Sequence, residues 1–270
     1  MKPTSGSCLK AIAALACSIA VGAAGQANAS SQTVPVLKLE QVHQQVGKFT
    51  VYAAKDRVRA DSRDLGYSIL SQAPDWKVFI FSTKSKTICS TTLEHWRHRN
   101  NLQSALLPAV ESPLPVVKWM PVQQDGLSCS KGIVNERKSF YDPFTLMSAA
   151  NLKAATKQLT EVAVKSSTYI ICSPPGQQEV ARVVNSLFGV RDNESLPISL
   201  NFDMGNRIVH KLTTTSWTRT AVPASLFVVP NGFKRMSRID QVILSNHGSA
   251  KDMDEMFGDL GVGKGFGTDK

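Results

Sequence analysis

The chain is predicted to be an α+β protein built on an antiparallel sheet, and three observations carry that expectation. From Phe49 to Thr91, short alternating segments recur every 8–10 residues with turn residues between them, as in a meander. Ile198, Leu200 and Phe202 alternate with polar residues. Asp203-Met204-Gly205-Asn206 then supplies a turn, and Arg207–Ala221 returns as a long β-branched run, so the stretch reads as a hairpin. Gln177–Phe188 sets Val180, Val183, Val184 and Leu187 on one side of a helix, with Gly189 placed to end it.

The remaining elements follow in order. Residues 30–36 are a short polar leader. Leu37, Leu39, Val42 and Val46 have helical spacing, so Leu37–Val46 is expected to be a helix. Strands are expected around Phe49–Tyr52, Arg57–Asp61, Tyr67–Ile69, Trp76–Phe81 and Thr87–Thr91, with turns at Ala73-Pro74-Asp75 and Thr83–Lys86. Residues 92–107 look helical around Leu93, Trp96, Leu102 and Leu106-Leu107, until Pro108, Pro113 and Pro115 make a loop. Val116–Val122 and Gly132–Phe140 read as strands, Leu146–Leu159 as a helix, and Glu161–Cys172 as a strand stopped by Ser173-Pro174-Pro175-Gly176. After the hairpin, Leu226–Val229 leads into a turn at Pro230-Asn231-Gly232, and Gln241–Leu244 is expected to be a last short strand.

The first 29 residues read as a secretory signal peptide. Lys2 and Lys10 form the positive region, Ala11–Ala24 the apolar run, and Ala27-Asn28-Ala29 the small-x-small cleavage pattern. The expectation is a secreted or periplasmic protein cleaved after Ala29, which excludes reactions that depend on cytosolic cofactors. Residues 30–247 are expected to form a single α+β domain and residues 248–270 a flexible, glycine-rich tail. The whole chain carries a net charge of +10 and its leader only lysines, so the mature part keeps a moderate positive excess, densest at His95-Trp96-Arg97-His98-Arg99. Such a surface suits anionic membranes or acidic polymers before nucleic acid, and no nucleic-acid partner is expected.

Cys89, Cys129 and Cys172 remain after cleavage. One disulfide fits an oxidising compartment, with Cys89 paired to either Cys129 or Cys172, and leaves one thiol over. No two cysteines have zinc-site spacing, and no metal or cofactor is expected. His95 and His98 lie three apart on a helix but lack a third ligand nearby, while His43, His210 and His247 are isolated. There is no Gly-x-Ser-x-Gly elbow, and the Gly261–Gly267 run lacks both the spacing and the context of a phosphate loop. Nothing therefore argues for an enzyme. The aromatic set Trp76, Phe79, Phe81, Trp96, Trp119 and Trp217 is the candidate lining of an apolar groove.

Three stretches resemble the periplasmic outer-membrane lipoprotein-carrier superfamily, the Lol-carrier-like half-barrels. They are Phe49–Arg59, Gly66–Ile69 continued through Trp76–Phe81, and Ile198–Ile208 followed by Ser225–Phe227 and Pro230–Phe233. The resemblance implies a curved antiparallel sheet, an incomplete barrel whose concave apolar face is covered by helices and accepts acyl chains. It also implies a basic residue holding the helical lid, for which Lys55 is the nearest match and Arg57 the alternative. The expected function is binding of a lipid or other apolar ligand without catalysis. The alternative is a cell-envelope interaction or assembly scaffold with no small ligand.

Overall fold

The structure is a computed structural model that describes residues 32–98, 118–140, 162–191 and 193–245. Its first six strands are β1 (Thr33–His43), β2 (Gly47–Ala53), β3 (Arg57–Ser62), β4 (Ser68–Gln72), β5 (Val78–Ser82) and β6 (Thr87–Thr91). A short helix, α1 (Leu93–Arg97), follows. Then come β7 (Met120–Gln124), β8 (Leu127–Phe140), β9 (Val162–Cys172), the helix α2 (Gln178–Leu187), β10 (Leu196–Asp203) and β11 (Ile208–Pro223). A 3-10 turn (Ala224–Phe227), β12 (Lys234–Arg235) and α3 (Ile239–Leu244) complete the described elements.

The strands make one open sheet in the order β12-β6-β5-β4-β3-β2-β1-β11-β10-β9-β8-β7. Every neighbouring pair is antiparallel except β12 with β6. The expected sheet class is therefore observed, with few helices. The meander β1–β6 arises from tight turns and strict alternation. Its clearest consequence is a row of directly opposed residues, Leu39, Val51, Ala60, Ile69, Ile80 and Cys89, running across six strands. All six are buried on one face, called here the first face.

Two expected elements are corrected. Leu37–Val46 is not a helix: residues through His43 are strand β1, bonded to β2 on one side and β11 on the other. Leu37 and Leu39 are two apart, a strand period, and both are buried, whereas Val42 is 37% exposed. Gln241–Leu244 is not a strand. It belongs to α3, where Ile239, Val242 and Ile243 turn one buried side toward β5 and β6. Four residues were too short a window to separate the two periods. The leader 1–29, the far part of the helix expected at 92–107, the helix expected at 146–159 and the tail 248–270 lie outside the described residues.

α2 behaves as its pattern dictates. Val180, Val183, Val184 and Leu187 are buried, and Gly189, at φ 60°, follows its end. The helix packs on β10, β3, β4 and α1. α1 is capped by Thr92, whose hydroxyl accepts the His95 N–H at 3.1 Å.

Opposite the first face lies a smaller cluster made of Val36, Ala54, Leu70, Phe81 and Phe227. It holds the 3-10 turn against the sheet. Arg59 donates to the Leu226 carbonyl at 2.7 Å and pairs with Asp61, and its guanidinium sits 5.5 Å above the Phe81 ring.

Candidate functional site

The six candidate aromatics do not share a face. Trp96 is fully buried within the first-face cluster, and its Nε1 donates to the Val183 carbonyl at 3.1 Å, tying α1 to α2. Trp76 is buried in the same cluster, at φ 50° in the turn before β5. Trp119 and Trp217 are half-buried and pack against it. Trp217 Nε1 donates to the Asp125 carbonyl at 3.1 Å, at the two-residue turn Asp125-Gly126 between β7 and β8. Phe79 and Phe81 belong to the opposite cluster, where Phe81 is buried and Phe79 lies 5.7 Å from the Lys77 ammonium. Successive strand residues point to opposite faces, so Val78 and Ile80 occupy the first face and the two phenylalanines cannot.

The sequence reading missed a second group of first-face aromatics. His43 stacks on Phe188 with ring centroids 5.7 Å apart; Phe188 meets Phe49 edge-on at 5.4 Å, and Phe49 meets Tyr67 at 5.9 Å. His43 Nδ1 accepts the Gln45 and Val46 backbone N–H groups. Burial, aided by the Lys211 charge, pushes its imidazole down to about 3, so this ring stays neutral. Its place at the end of β1 followed from reading 37–43 as a strand, which the helical assignment concealed.

The two residues expected to hold the lid stand at the turn between β2 and β3, Lys55 within it and Arg57 at the start of β3. Lys55 has an exposed side chain, but its backbone carbonyl accepts the Gln177 N–H at 2.9 Å, immediately before α2. Gly176 is required there, because a Cβ on it would stand 2.1 Å from that same carbonyl oxygen. Arg57 pairs with Asp56, and its guanidinium lies 5.8 Å above the Phe227 ring in the opposite cluster.

The three cysteines are buried thiols. The expected bridge from Cys89 is not formed here, and neither is any other among the described residues; Cys89 is on β6, eight places in the sheet order from β9 and nine from β8. Cys129 and Cys172 instead stand on the adjacent strands β8 and β9. Burial raises all three thiols, and Cys172, beside Cys129, is pushed up to about 12. None is an activated nucleophile. His98 Nε2 lies 2.8 Å from Glu94, and His95 is exposed. Among the described residues no group of three His, Cys, Asp or Glu could hold a metal ion, and no helix is long and apolar enough to cross a membrane.

Among the described residues, cavities open elsewhere. One of about 420 Å³ lies at the bulge between β1 and β11, lined by Glu40, Lys48, Arg63 and Ser216 among others. Another of about 280 Å³ lies where Val229–Met236 crosses the β5–β6 edge, and Phe79 is the single candidate aromatic that lines it.

No family model matches the chain, and no curated protein does. A solved structure described as an uncharacterized conserved protein from Thermus thermophilus overlays with a TM-score of 0.38 at 8% identity, covering 77% of this chain and 93% of that one. At that TM-score the likeness carries no argument about fold or function.

Proposed function

We propose that the protein is a non-enzymatic binder of a lipid or other apolar ligand, which it holds on the first face of the sheet beneath α1 and α2. One observation carries the reading: the breadth of sheet that a single short helix touches. α2 has ten residues, so it is about 15 Å long. It packs against β3 and β4 and also against β10, strands four and five places away. In a flat sheet those strands would stand about 19 Å or more apart. A sheet bent around the helix accounts for these contacts, and the reach of Trp217 to the β7–β8 turn is of the same kind. The implied form is the incomplete barrel of the lipoprotein-carrier superfamily, with helices over its concave side.

The cover is also suited to removal. α2 meets the sheet through the apolar side formed by Val180, Val183, Val184 and Leu187. Polar ties stand near its two ends, Gln177 to Lys55 and Asn185 to the Ser195 carbonyl at 3.1 Å. An acyl chain entering the groove exchanges one apolar neighbour for another at little cost in buried area. The leader pattern at Lys2–Ala29 supports a secreted or periplasmic setting, and the basic excess supports approach to anionic headgroups.

The test is tryptophan emission during titration with brominated palmitate, paired with native mass spectrometry and organic extraction of the purified protein. A ligand on the first face quenches the parent, and Trp96→Phe loses part of that quenching. A protein that co-purifies empty and is not quenched sinks the reading. One observation favours the second reading, a scaffold without ligand: Trp96 and the apolar side of α2 are already fully buried against their own chain. The same titration separates the two.

A further inference from the structure

We propose that Cys129 and Cys172 form a cross-strand disulfide when the chain folds in the presence of a disulfide donor, leaving Cys89 as a thiol, whether or not a ligand binds. The register places the pair. Ser130 opposes Ile171 in the β8–β9 ladder, and one step further along the same two strands Cys129 meets Cys172. Their outer neighbours agree: Cys129 opposes Val122 on β7, and Cys172 opposes Leu196 on β10. Both side chains belong to the first-face cluster, so they project to the same side of the sheet. Directly opposed residues in an antiparallel pair have Cα atoms about 4.5–5.5 Å apart. A disulfide needs about 4.4–6.8 Å, so little backbone movement is required.

The chemistry is thiol–disulfide exchange with a low-molecular-weight disulfide such as oxidised glutathione. One cysteine thiolate attacks the donor, a mixed disulfide forms and a glutathione thiolate leaves. The second cysteine thiolate then displaces the other glutathione. Two electrons and two protons pass from the cysteines to the donor, which leaves as two thiols. Burial keeps both thiols protonated in the folded chain, so the exchange belongs to folding, before β8 and β9 close.

The experiment refolds the full chain, with Cys8→Ser and Cys17→Ser to remove the two leader thiols, in oxidised and reduced glutathione, alkylates the remaining thiols and maps tryptic peptides. The expected product links residues 119–131 to residues 166–182, with Cys89 alkylated in residues 87–97. Cys89→Ser keeps that link and Cys129→Ser abolishes it. A link from residues 87–97 to either other peptide overturns the proposal, and so does alkylation of both Cys129 and Cys172 after oxidative refolding.

Discussion

Gly176→Ala tests the joint between the sheet and α2. The added methyl would stand 2.1 Å from the Lys55 carbonyl oxygen, 2.4 Å from its Cα and 2.6 Å from its carbonyl carbon. Ordinary contact between such atoms is about 3.5 Å. The chain before α2 must therefore retreat by more than an ångström, because the obstacle is backbone that β2 and β3 hold in place. Such a retreat stretches the Gln177–Lys55 hydrogen bond from 2.9 Å past bonding distance. Losing that bond costs about 1 kcal/mol, and the forced displacement adds about 1–3 kcal/mol. Together they make an expected loss of roughly 2–4 kcal/mol.

Urea unfolding followed by circular dichroism measures that loss. Gly232→Ala is the control: its φ is +74° and nothing lies within 4 Å of the added methyl. It bears only the left-handed backbone cost, about 1–2 kcal/mol. A Gly176→Ala midpoint within error of the parent would refute the close approach, and with it the idea that this turn anchors the start of α2. The loosened helix should also expose the first face and raise binding of an apolar dye at mild urea concentrations.

Two further outcomes are expected. His43 has a folded value near 3 against an ordinary 6.5, so the unfolded chain binds its proton first; the stability it contributes is complete above pH 6.5 and drains toward pH 3, by about 1.4 kcal/mol per unit. Unfolding free energies from urea titrations at pH 7.5 and pH 5 should differ by roughly 2 kcal/mol in the parent and by much less in His43→Gln, and a flat parent profile would count against the buried neutral ring. Arg59→Ala removes the bond to Leu226 and the stacking on Phe81, at a cost of about 1–3 kcal/mol, and should hasten proteolytic nicking between Ala224 and Phe233; cleavage at the parental rate would contradict that role.

Much of the fold was legible because its signals are local. The meander strands β2 to β6 overlap the alternating segments expected there, and Trp76 falls in the turn before β5 rather than in the strand. α2 was legible because ten residues hold nearly three turns of one repeating apolar side. Failure came where the window was short or two periods competed. In β1 the pair Leu37 and Leu39 carried the strand signal, while Val42 and Val46 suggested a helix that hydrogen bonding to β2 and β11 overrides. In α3 the decisive residue, Ile239, lay outside the window read as a strand.

The candidate site was legible by residue type and not by place. Composition picked out the tryptophans, and all four gather at the first-face cluster. The alternation of β5 was sufficient to separate Phe79 and Phe81 from them, since strand geometry allows no other outcome. What the sequence by itself determined is the alternation within each strand, the apolar stripe of α2 and the supply of buried aromatics and thiols, because these depend on residues a few positions apart. Only the tertiary structure decided that β11 returns beside β1, that the Lys55 carbonyl meets Gln177, and that Cys129 stands opposite Cys172. Those contacts join residues tens to nearly two hundred positions apart. No local pattern encodes them; they form because the whole sheet must bury one continuous face and pair its backbone at once.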